Sequence, residues 1–314
     1  MTMTLRRTLL AVLLAGAAFA SPAQANFVVG MGDQDAAMFD DSHFQDLNIQ
    51  RVRYLVPYDW YKNKGIDAEV SSFMHRAEAD GAEVLVHFTA RRGCYENGRY
   101  STRKVCRAPS VRTYKKNFKR FRTEFPGTTT FGVWNEGNHV SQPTHNKPKL
   151  AAQYFLAARS ACRSCTFVAA DVLDASNMES WINKFDRYDK GKARIFGLHN
   201  YSDVNRKRTS GTKRLLRRVG GQVWLTETGG ILKFLPQFPR SESRQASRTK
   251  YMFSLANNFD TKRSGMRSKI TRLYNYQYTG SPKSARFDAG LVNPNGSTRK
   301  AYRAFKKAAA SHER

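Results

Sequence analysis

Eight short apolar segments alternate with longer amphipathic segments along this chain, and this alternation restricts the fold more than any other feature. The apolar segments are rich in β-branched and aromatic residues, which predicts strands, whereas the intervening segments have apolar residues at helical spacing. Nearly continuous apolar strands separated by helices are typical of a parallel sheet, so we predict an α/β fold. The predicted strands are 27–31, 51–57, 83–88, 129–134, 166–171, 194–201, 221–227 and 270–276, and the predicted helices are 35–47, 67–80, 110–125, 147–160, 177–188, 212–219, 241–258 and 298–309.

The spacing of the strands favours a closed barrel over an open sheet. Glu136 follows the fourth predicted strand and Glu227 ends the seventh, so three strand–helix units occupy 91 residues, or about 30 each. An eight-unit barrel of ~250 residues has this spacing. An open sheet more often has a glycine-rich phosphate loop after its first strand, and Gly30-Met31-Gly32-Asp33 is too short a match. We therefore predict a single (β/α)8 TIM-barrel domain over residues 26–314.

The first 25 residues have the pattern of a secretory signal peptide. Arg6 and Arg7 form a basic start, residues 8–20 are apolar, and Ala23-Gln24-Ala25 is an A-x-A cleavage site. A transmembrane anchor is the alternative, but the apolar run is short and ends at Ser21-Pro22. We expect residues 1–25 to be removed and the protein to be secreted, extracellular or associated with the cell envelope.

The four cysteines form two local pairs, Cys94 with Cys106 and Cys162 with Cys165. A zinc site or a redox dithiol is the alternative, but the two pairs flank different predicted elements. In an exported chain two disulfides are the simpler interpretation. A bond between Cys94 and Cys106 would tether the loop that follows the third strand.

The chain is strongly basic, with 53 Lys and Arg against 25 Asp and Glu, a formal charge of +28 that becomes +26 without Arg6 and Arg7. Such a charge attracts polyanions, including acidic glycans, anionic envelope polymers and nucleic acid. Solubility and envelope association are an equal alternative. The basic residues are spread without a recognisable nucleic-acid motif, so no specific nucleic acid partner is expected. The loop from Arg91 to Arg107 is the best-placed local contributor.

Two of the predicted strands lead into a glutamate beside other polar residues. The segment Trp134-Asn135-Glu136 follows the fourth strand, and Thr226-Glu227-Thr228 ends the seventh. Barrels have their chemistry at the carboxyl ends of the strands, where these groups would meet. A pair of carboxylates is the minimal apparatus for glycoside hydrolysis. Glutamates that only cap strand ends are the structural alternative.

These residues, in their order, resemble clan A of the glycoside hydrolases. Asn135-Glu136 is similar to the clan's strand-four pair, and Glu227 is similar to its strand-seven nucleophile. His199-Asn200-Tyr201 matches the H-x-Y often found at strand six, Arg53 resembles the strand-two arginine, and 290–305 resembles a common terminal segment. The continuation Gly137-Asn138-His139 departs from the frequent Asn-Glu-Pro, so no family within the clan is assigned.

The resemblance implies a retaining glycosidase in which Glu136 is the acid/base and Glu227 the nucleophile, ~5–5.5 Å apart. We expect the neighbouring negative charge to raise the pKa of Glu136, and Arg53 and Tyr201 to keep Glu227 ionised. Asn135 is expected to bond the sugar 2-hydroxyl.

Other substrate-binding candidates are less specific. His199 is expected to face the barrel mouth with Tyr201. His87, at the end of strand three, either contacts substrate or is a histidine satisfied within the barrel. The clan's strand-eight tryptophan is absent from Tyr276-Gln277-Tyr278. Tyr278 is our candidate for the sugar platform, with core packing as the alternative.

We therefore expect a monomeric, secreted hydrolase of a polysaccharide that is neutral or anionic, with neither metal nor organic cofactor. A catalytically silent barrel that binds anionic glycan is one alternative, although both glutamates are present. A basic surface protein that binds nucleic acid or envelope lipid is another, and steep salt dependence of binding without glycan turnover would favour it.

Overall fold

The computed structural model describes residues 27–96, 98–312 and 314, and the predicted signal peptide, residues 1–25, lies outside them. Nine parallel strand segments form one sheet. We number them as eight strands because β5 has two segments. They are β1 (Val28–Gly32), β2 (Arg51–Pro57), β3 (Glu83–Thr89), β4 (Thr130–Gly132), β5 (Thr166–Val168 and Ala170–Leu173), β6 (Ile195–His199), β7 (Gly221–Thr228) and β8 (Ser268–Tyr276).

The sheet closes into a barrel at β5. Its first segment pairs with β4, through Phe131 and Phe167, and its second segment pairs with β6, through Val172 and Leu198. Only Ala169 separates the two segments, so the two ends of the strand order are consecutive in the chain. The strand β1 pairs with β2 on one side and with β8 on the other. The predicted (β/α)8 architecture is therefore confirmed.

The helices of the described residues form a layer around the barrel, and most begin and end near the predicted positions. The helix α2 begins earlier than predicted because Asn63 Oδ1 accepts hydrogen bonds from the amides of Gly65 and Ile66. The predicted helix 35–47 is instead a 3₁₀ turn, Ala36–Asp40, followed by α1. The helices are α1 (Ser42–Asp46), α2 (Lys64–Ala79), α3 (Val111–Glu124), α4 (Pro148–Ala161), α5 (Met178–Asp186), α6 (Tyr201–Asn205), α7 (Ser210–Arg218), α8 (Glu242–Asn257) and α9 (Lys300–Ala309).

A buried apolar layer lies inside the barrel, beneath the polar groups at the carboxyl ends of the strands. A small buried cluster contains Leu85, Val168, Trp224 and Tyr274, which come from β3, β5, β7 and β8. Because side chains alternate along a strand, His87 lies on the same face of β3 as Leu85, one step closer to the carboxyl end. The polar groups described below therefore stand above a packed apolar layer.

Both predicted disulfides, Cys94–Cys106 and Cys162–Cys165, are present. The first closes the loop after β3, which contains the short hairpin Tyr95–Glu96 with Arg99–Tyr100. Within the described residues, no helix is both long enough and apolar enough to cross a membrane.

Candidate active site

An open cleft of about 600 Å³ lies at the carboxyl ends of the strands, and both predicted carboxylates line it. Glu136 stands just beyond β4, and Glu227 lies near the end of β7. Aromatic side chains form much of the remaining wall. They are Tyr95, Tyr201, Phe234, Phe238, Tyr276 and Phe287.

The backbone at Glu136 has an uncommon conformation. Its φ is 44°, in the left-handed region that residues with a side chain adopt rarely. Such a conformation costs on the order of 1–3 kcal/mol and persists where surrounding contacts hold it. The next amide, that of Gly137, donates to the carbonyl of Asp171 at 2.8 Å. Strained backbone held in this way is concentrated at functional sites, which agrees with the position of Glu136 in the cleft.

Glu227 accepts hydrogen bonds from two donors, the buried Arg53 and the half-buried Tyr201. Arg53 Nη1 donates to Oε2 at 2.8 Å, and the Tyr201 hydroxyl donates to Oε1 at 3.0 Å. Arg53 is fully buried and also donates to Asn135 Oδ1 at 2.6 Å and to His87 Nδ1 at 3.2 Å. One guanidinium therefore positions groups from β3, β7 and the turn after β4.

His199 lies between the two glutamates. Its Nδ1 is 3.1 Å from Glu136 Oε1 and 3.6 Å from Glu227 Oε2. Because both oxygens contact the same nitrogen, they are at most 6.7 Å apart, the sum of the two distances. This bound includes the ~5–5.5 Å separation of retaining glycosidases and excludes nearly all of the ~6.5–9.5 Å range of inverting ones.

Asp171, the fully buried carboxylate of β5, was not among the predicted site residues. Its Oδ2 is 2.9 Å from His199 Nε2, 3.4 Å from His87 Nε2 and 3.6 Å from Arg53 Nη2. Its Oδ1 accepts a hydrogen bond from Thr226. An acid within the apolar segment 166–171 was the available signal, because a carboxylate is seldom buried without cationic partners.

The two buried histidines have different protonation states. His87 accepts the Arg53 hydrogen bond on Nδ1, and burial lowers the pKa of His87 to about 3, so it is neutral. Burial also acts to lower the pKa of His199, but the charges of Asp171 and Glu227 outweigh burial and raise the pKa to about 10.

The geometry of His199 agrees with the charged form. A neutral imidazole can donate from only one nitrogen, whereas here both nitrogens face carboxylate oxygens. Arg53 Nη2 also approaches Nε2, at 3.3 Å, but the Asp171 oxygen is closer at 2.9 Å. We therefore assign Nε2 a proton whose charge is paired with Asp171, although Asp171 Oδ2 accepts no well-aligned hydrogen bond within the described residues.

The expectation that the pKa of Glu136 is raised was wrong. Burial acts in that direction, but the hydrogen bond and the charge of His199 outweigh it and lower the pKa below its ordinary value. No local sequence pattern indicates that a cation lies against this carboxylate. Burial raises the pKa of the Tyr201 hydroxyl, which therefore remains a donor to Glu227.

The structure does not bring Tyr278 to the cleft. Its side chain is 1% exposed and packs against Phe44, with ring centroids 5.3 Å apart. Tyr276 lines the cleft instead, near Phe287. His87 is buried beneath the carboxylates and, like Arg53, contacts other site residues rather than the open volume.

The two arginines at the start of the basic loop are held in ion pairs. Arg91 pairs with Asp59, and Arg92 Nη2 is 2.5 Å from Glu69 Oε2. Their charges are therefore partly compensated, and the loop contributes Tyr95 to the cleft. Among the described residues, no group of three or more His, Cys, Asp or Glu side chains is arranged to hold a metal ion.

Comparison with solved structures identifies (β/α)8 glycoside hydrolases as similar folds. A psychrophilic family 10 endo-β-1,4-xylanase is 13% identical with a TM-score of 0.61, over 90% of this chain and 96% of the xylanase. A GH5_18 protein from Streptomyces cattleya, solved with GlcNAc, is 13% identical with a TM-score of 0.64, over 91% and 80%. A thermostable mutant of a Cellvibrio japonicus xylanase is 12% identical with a TM-score of 0.63, over 91% and 98%.

These identities establish the fold, and the expected resemblance to clan A barrels is confirmed at that level. No protein-family model and no curated protein matches the sequence.

Proposed function

We propose that this protein is a retaining glycoside hydrolase. The observation that supports this most directly is the pair of cleft carboxylates, Glu136 and Glu227, whose nearest oxygens to His199 are at most 6.7 Å apart. The fold shared with glycoside hydrolases agrees with this proposal. A covalent glycosyl-enzyme requires this close spacing because the second carboxylate attacks the sugar without an intervening water.

In the proposed mechanism Glu227 is the nucleophile. Arg53 and Tyr201 donate hydrogen bonds to its two oxygens, which hold the carboxylate in position to attack the anomeric carbon. Glu136 donates a proton to the departing glycosidic oxygen as that bond breaks. In the second step Glu136 removes a proton from water, which attacks the anomeric carbon and releases Glu227.

The buried residues beneath the cleft position these two groups. Arg53 and His87 hold the floor, and Asn135, whose Oδ1 is bound by Arg53, has its amide NH₂ available for a sugar 2-hydroxyl. Asp171 and His199 set the charge next to Glu136. The roles of Arg53, His87 and His199 are thus positioning roles, which replaces the expectation that they bind substrate directly.

The substrate is a polysaccharide. The cleft is open, and the aromatic walls provide faces on which sugar rings can stack. The similar structures include xylanases and a protein bound to GlcNAc, so xylan-type and GlcNAc-containing chains belong in the first substrate panel. Two disulfides agree with the predicted export of the chain.

The test is to incubate residues 26–314 with neutral and acidic polysaccharides and follow the reducing ends and the anomeric configuration by ¹H NMR. We expect hydrolysis with retention, and a loss of at least a thousandfold in Glu227→Gln and Glu136→Gln. Glu78→Gln, which changes an exposed glutamate of α2, is the matched control and should retain activity. Net inversion would contradict the mechanism, and glycan binding without turnover would favour the silent barrel.

A further inference from the structure

At one wall of the cleft, two arginine guanidinium groups lie against the same aromatic ring, that of Phe238. The Arg206 guanidinium lies 5.2 Å from the centroid of Phe238, and the Arg244 guanidinium lies 5.3 Å from it. Arg206 and Phe238 line the same cleft as Glu136 and Glu227. Cation–π contacts at this distance hold a guanidinium in place without neutralising its charge.

These arginines lack carboxylate partners within the part of the chain that the structure describes. Arg206 donates to the Ser202 hydroxyl at 3.3 Å, and Arg244 donates to the carbonyls of Leu232 and Pro239 at 2.9 and 2.6 Å. Their hydrogen-bond acceptors are all neutral. By contrast, Arg208 and Arg240 have carboxylate partners in Asp203 and Glu242, as Arg91 and Arg92 have in Asp59 and Glu69.

The clustering of these charges is unfavourable in the absence of an anion. Arg248 follows Arg244 by about one turn of α8, and burial together with the Arg248 charge lowers the pKa of Arg244 below its ordinary value. The neighbouring positive charges of these arginines repel one another, and a bound anion offsets that repulsion. Arg206 is exposed, so its guanidinium is accessible to a molecule that occupies the cleft.

We propose that the wall formed by Arg206, Phe238 and Arg244 is a subsite for an anionic substituent of the glycan, a carboxylate or a sulfate ester. Arg206 binds the anion through its planar N–H fork, which matches two oxygens of either group. Arg244 adds positive charge at the same ring. This inference rests on the proposed function and specifies an acidic polysaccharide as the substrate.

The subsite has a specific consequence for selectivity. An ion pair in direct contact within the cleft is screened by salt less than the long-range field of the basic chain, which decays over roughly 10 Å at 0.1 M salt. Binding through Arg206 therefore persists at salt concentrations that abolish non-specific attraction. Neither the ion pair with Arg206 nor the long-range field increases the affinity for a neutral glycan.

The experiment is calorimetric titration of the Glu227→Gln protein, in which turnover is blocked, with three β-1,4-linked hexasaccharides. They are an oligoglucuronide, its carboxyl-reduced neutral form, and that neutral form sulfated at O6. In 0.3 M salt we expect at least one acidic hexasaccharide to bind tenfold more tightly than the neutral one. Adding Arg206→Ala should remove most of that preference, and Arg206→Lys should restore part of it.

The matched control is Lys184→Ala on α5, which removes the same charge from an exposed position outside the cleft and should change each affinity less than twofold. Equal affinity for neutral and acidic hexasaccharides would overturn the subsite. Equal effects of Arg206→Ala and Lys184→Ala would also overturn the subsite. The same proteins are titrated with a single-stranded oligonucleotide, and an effect of Arg206→Ala on that ligand alone would overturn the subsite as well. Selective binding in a protein whose wild type hydrolyses no glycan would support the subsite and contradict the proposed hydrolase.

Discussion

Replacing Asp171 with asparagine tests the electrostatic organisation of the site. The substitution keeps the size of a fully buried side chain but removes the negative charge 2.9 Å from His199 Nε2. If that charge keeps His199 protonated, the imidazole should lose its proton at a lower pH in Asp171→Asn. Glu136 would then face a neutral ring, and its pKa should rise.

The magnitude follows from the separation of the charges. Two unit charges whose centres are roughly 4 Å apart interact by about 4 kcal/mol at an effective dielectric constant of about 20. At about 1.4 kcal/mol for each tenfold change in proton affinity, this corresponds to roughly three pH units. The midpoint of the His199 titration should therefore move from about 10 to near neutrality.

The free energy of unfolding of Asp171→Asn, relative to wild type, should also depend on pH. The folded-state pKa of His199 is raised, so its charge stabilises the fold fully below about pH 6.5 and this contribution is lost as the pH rises through about 10. Asp171→Asn should therefore be least stable relative to wild type between about pH 4 and neutrality, because the pKa of Asp171 is itself lowered and its contribution is lost at more acidic pH. About 4 kcal/mol is the upper limit of the deficit, because an amide costs less to bury than a carboxylate.

The assay is ¹⁵N NMR of labelled histidine across pH, with denaturant unfolding and kcat/KM measured on the same samples. We expect a wild-type His199 that is still protonated at pH 8, and an alkaline limb of kcat/KM that moves to lower pH in Asp171→Asn. Asp186→Asn, which breaks a 2.7 Å ion pair with Arg218 on α7, is the control and should leave the His199 titration unchanged. A wild-type His199 that is neutral at pH 7 would refute the assignment and make Arg53 the donor to Nε2.

Two further predictions concern packing and the disulfides. A Cβ at Gly132 would lie 1.8 Å from His87 Cδ2, so Gly132→Ala should destabilise the fold by about 1–3 kcal/mol in denaturant unfolding and reduce activity. Gly127→Ala is the control and should leave the stability nearly unchanged, because a Cβ there would have no atom within 4 Å. Replacing Cys94 and Cys106 with serine should cost about 3 kcal/mol and loosen the Tyr95 loop, and the shorter Cys162–Cys165 loop should cost less by the same measurement; equal costs would contradict the loop-length argument.

The sequence was sufficient for the barrel and for the two glutamates because both depend on local patterns. Each strand is a short apolar run, and Glu136 and Glu227 occur where such runs end. The position of Asp171 in an apolar segment indicated a buried carboxylate, but its partners could not be assigned from the sequence because closure of the sheet brings them together. The split strand β5 places Asp171 opposite Gly197, and a Cβ there would lie 1.9 Å from Asp171 Oδ1. The absence of that Cβ makes room for the carboxylate.

Side-chain partners from distant segments account for the other differences. Tyr278 was proposed as the sugar platform because it lies near the end of the eighth predicted strand, where the clan has a tryptophan. The strand β8 instead ends at Tyr276, and the amide of Tyr278 donates to the carbonyl of Gly32. The basic loop was predicted to be the best-placed local source of positive charge, and Asp59 and Glu69 compensate part of that charge by pairing with two of its arginines. Pairings of this kind are set by the three-dimensional arrangement of loops.

The low pKa of Glu136 is compatible with its proposed role as an acid because His199 binds the proton and can transfer it to Glu136. Before substrate binds, one proton is shared by the pair and resides mainly on His199. The productive form, with neutral His199 and protonated Glu136, contains the same number of protons, so pH does not change the ratio of the two forms. A sugar that displaces water from the cleft desolvates Glu136 and favours the transfer across 3.1 Å. The alkaline limit of activity is then set by the pH at which the pair loses its proton, rather than by the pKa of Glu136 alone.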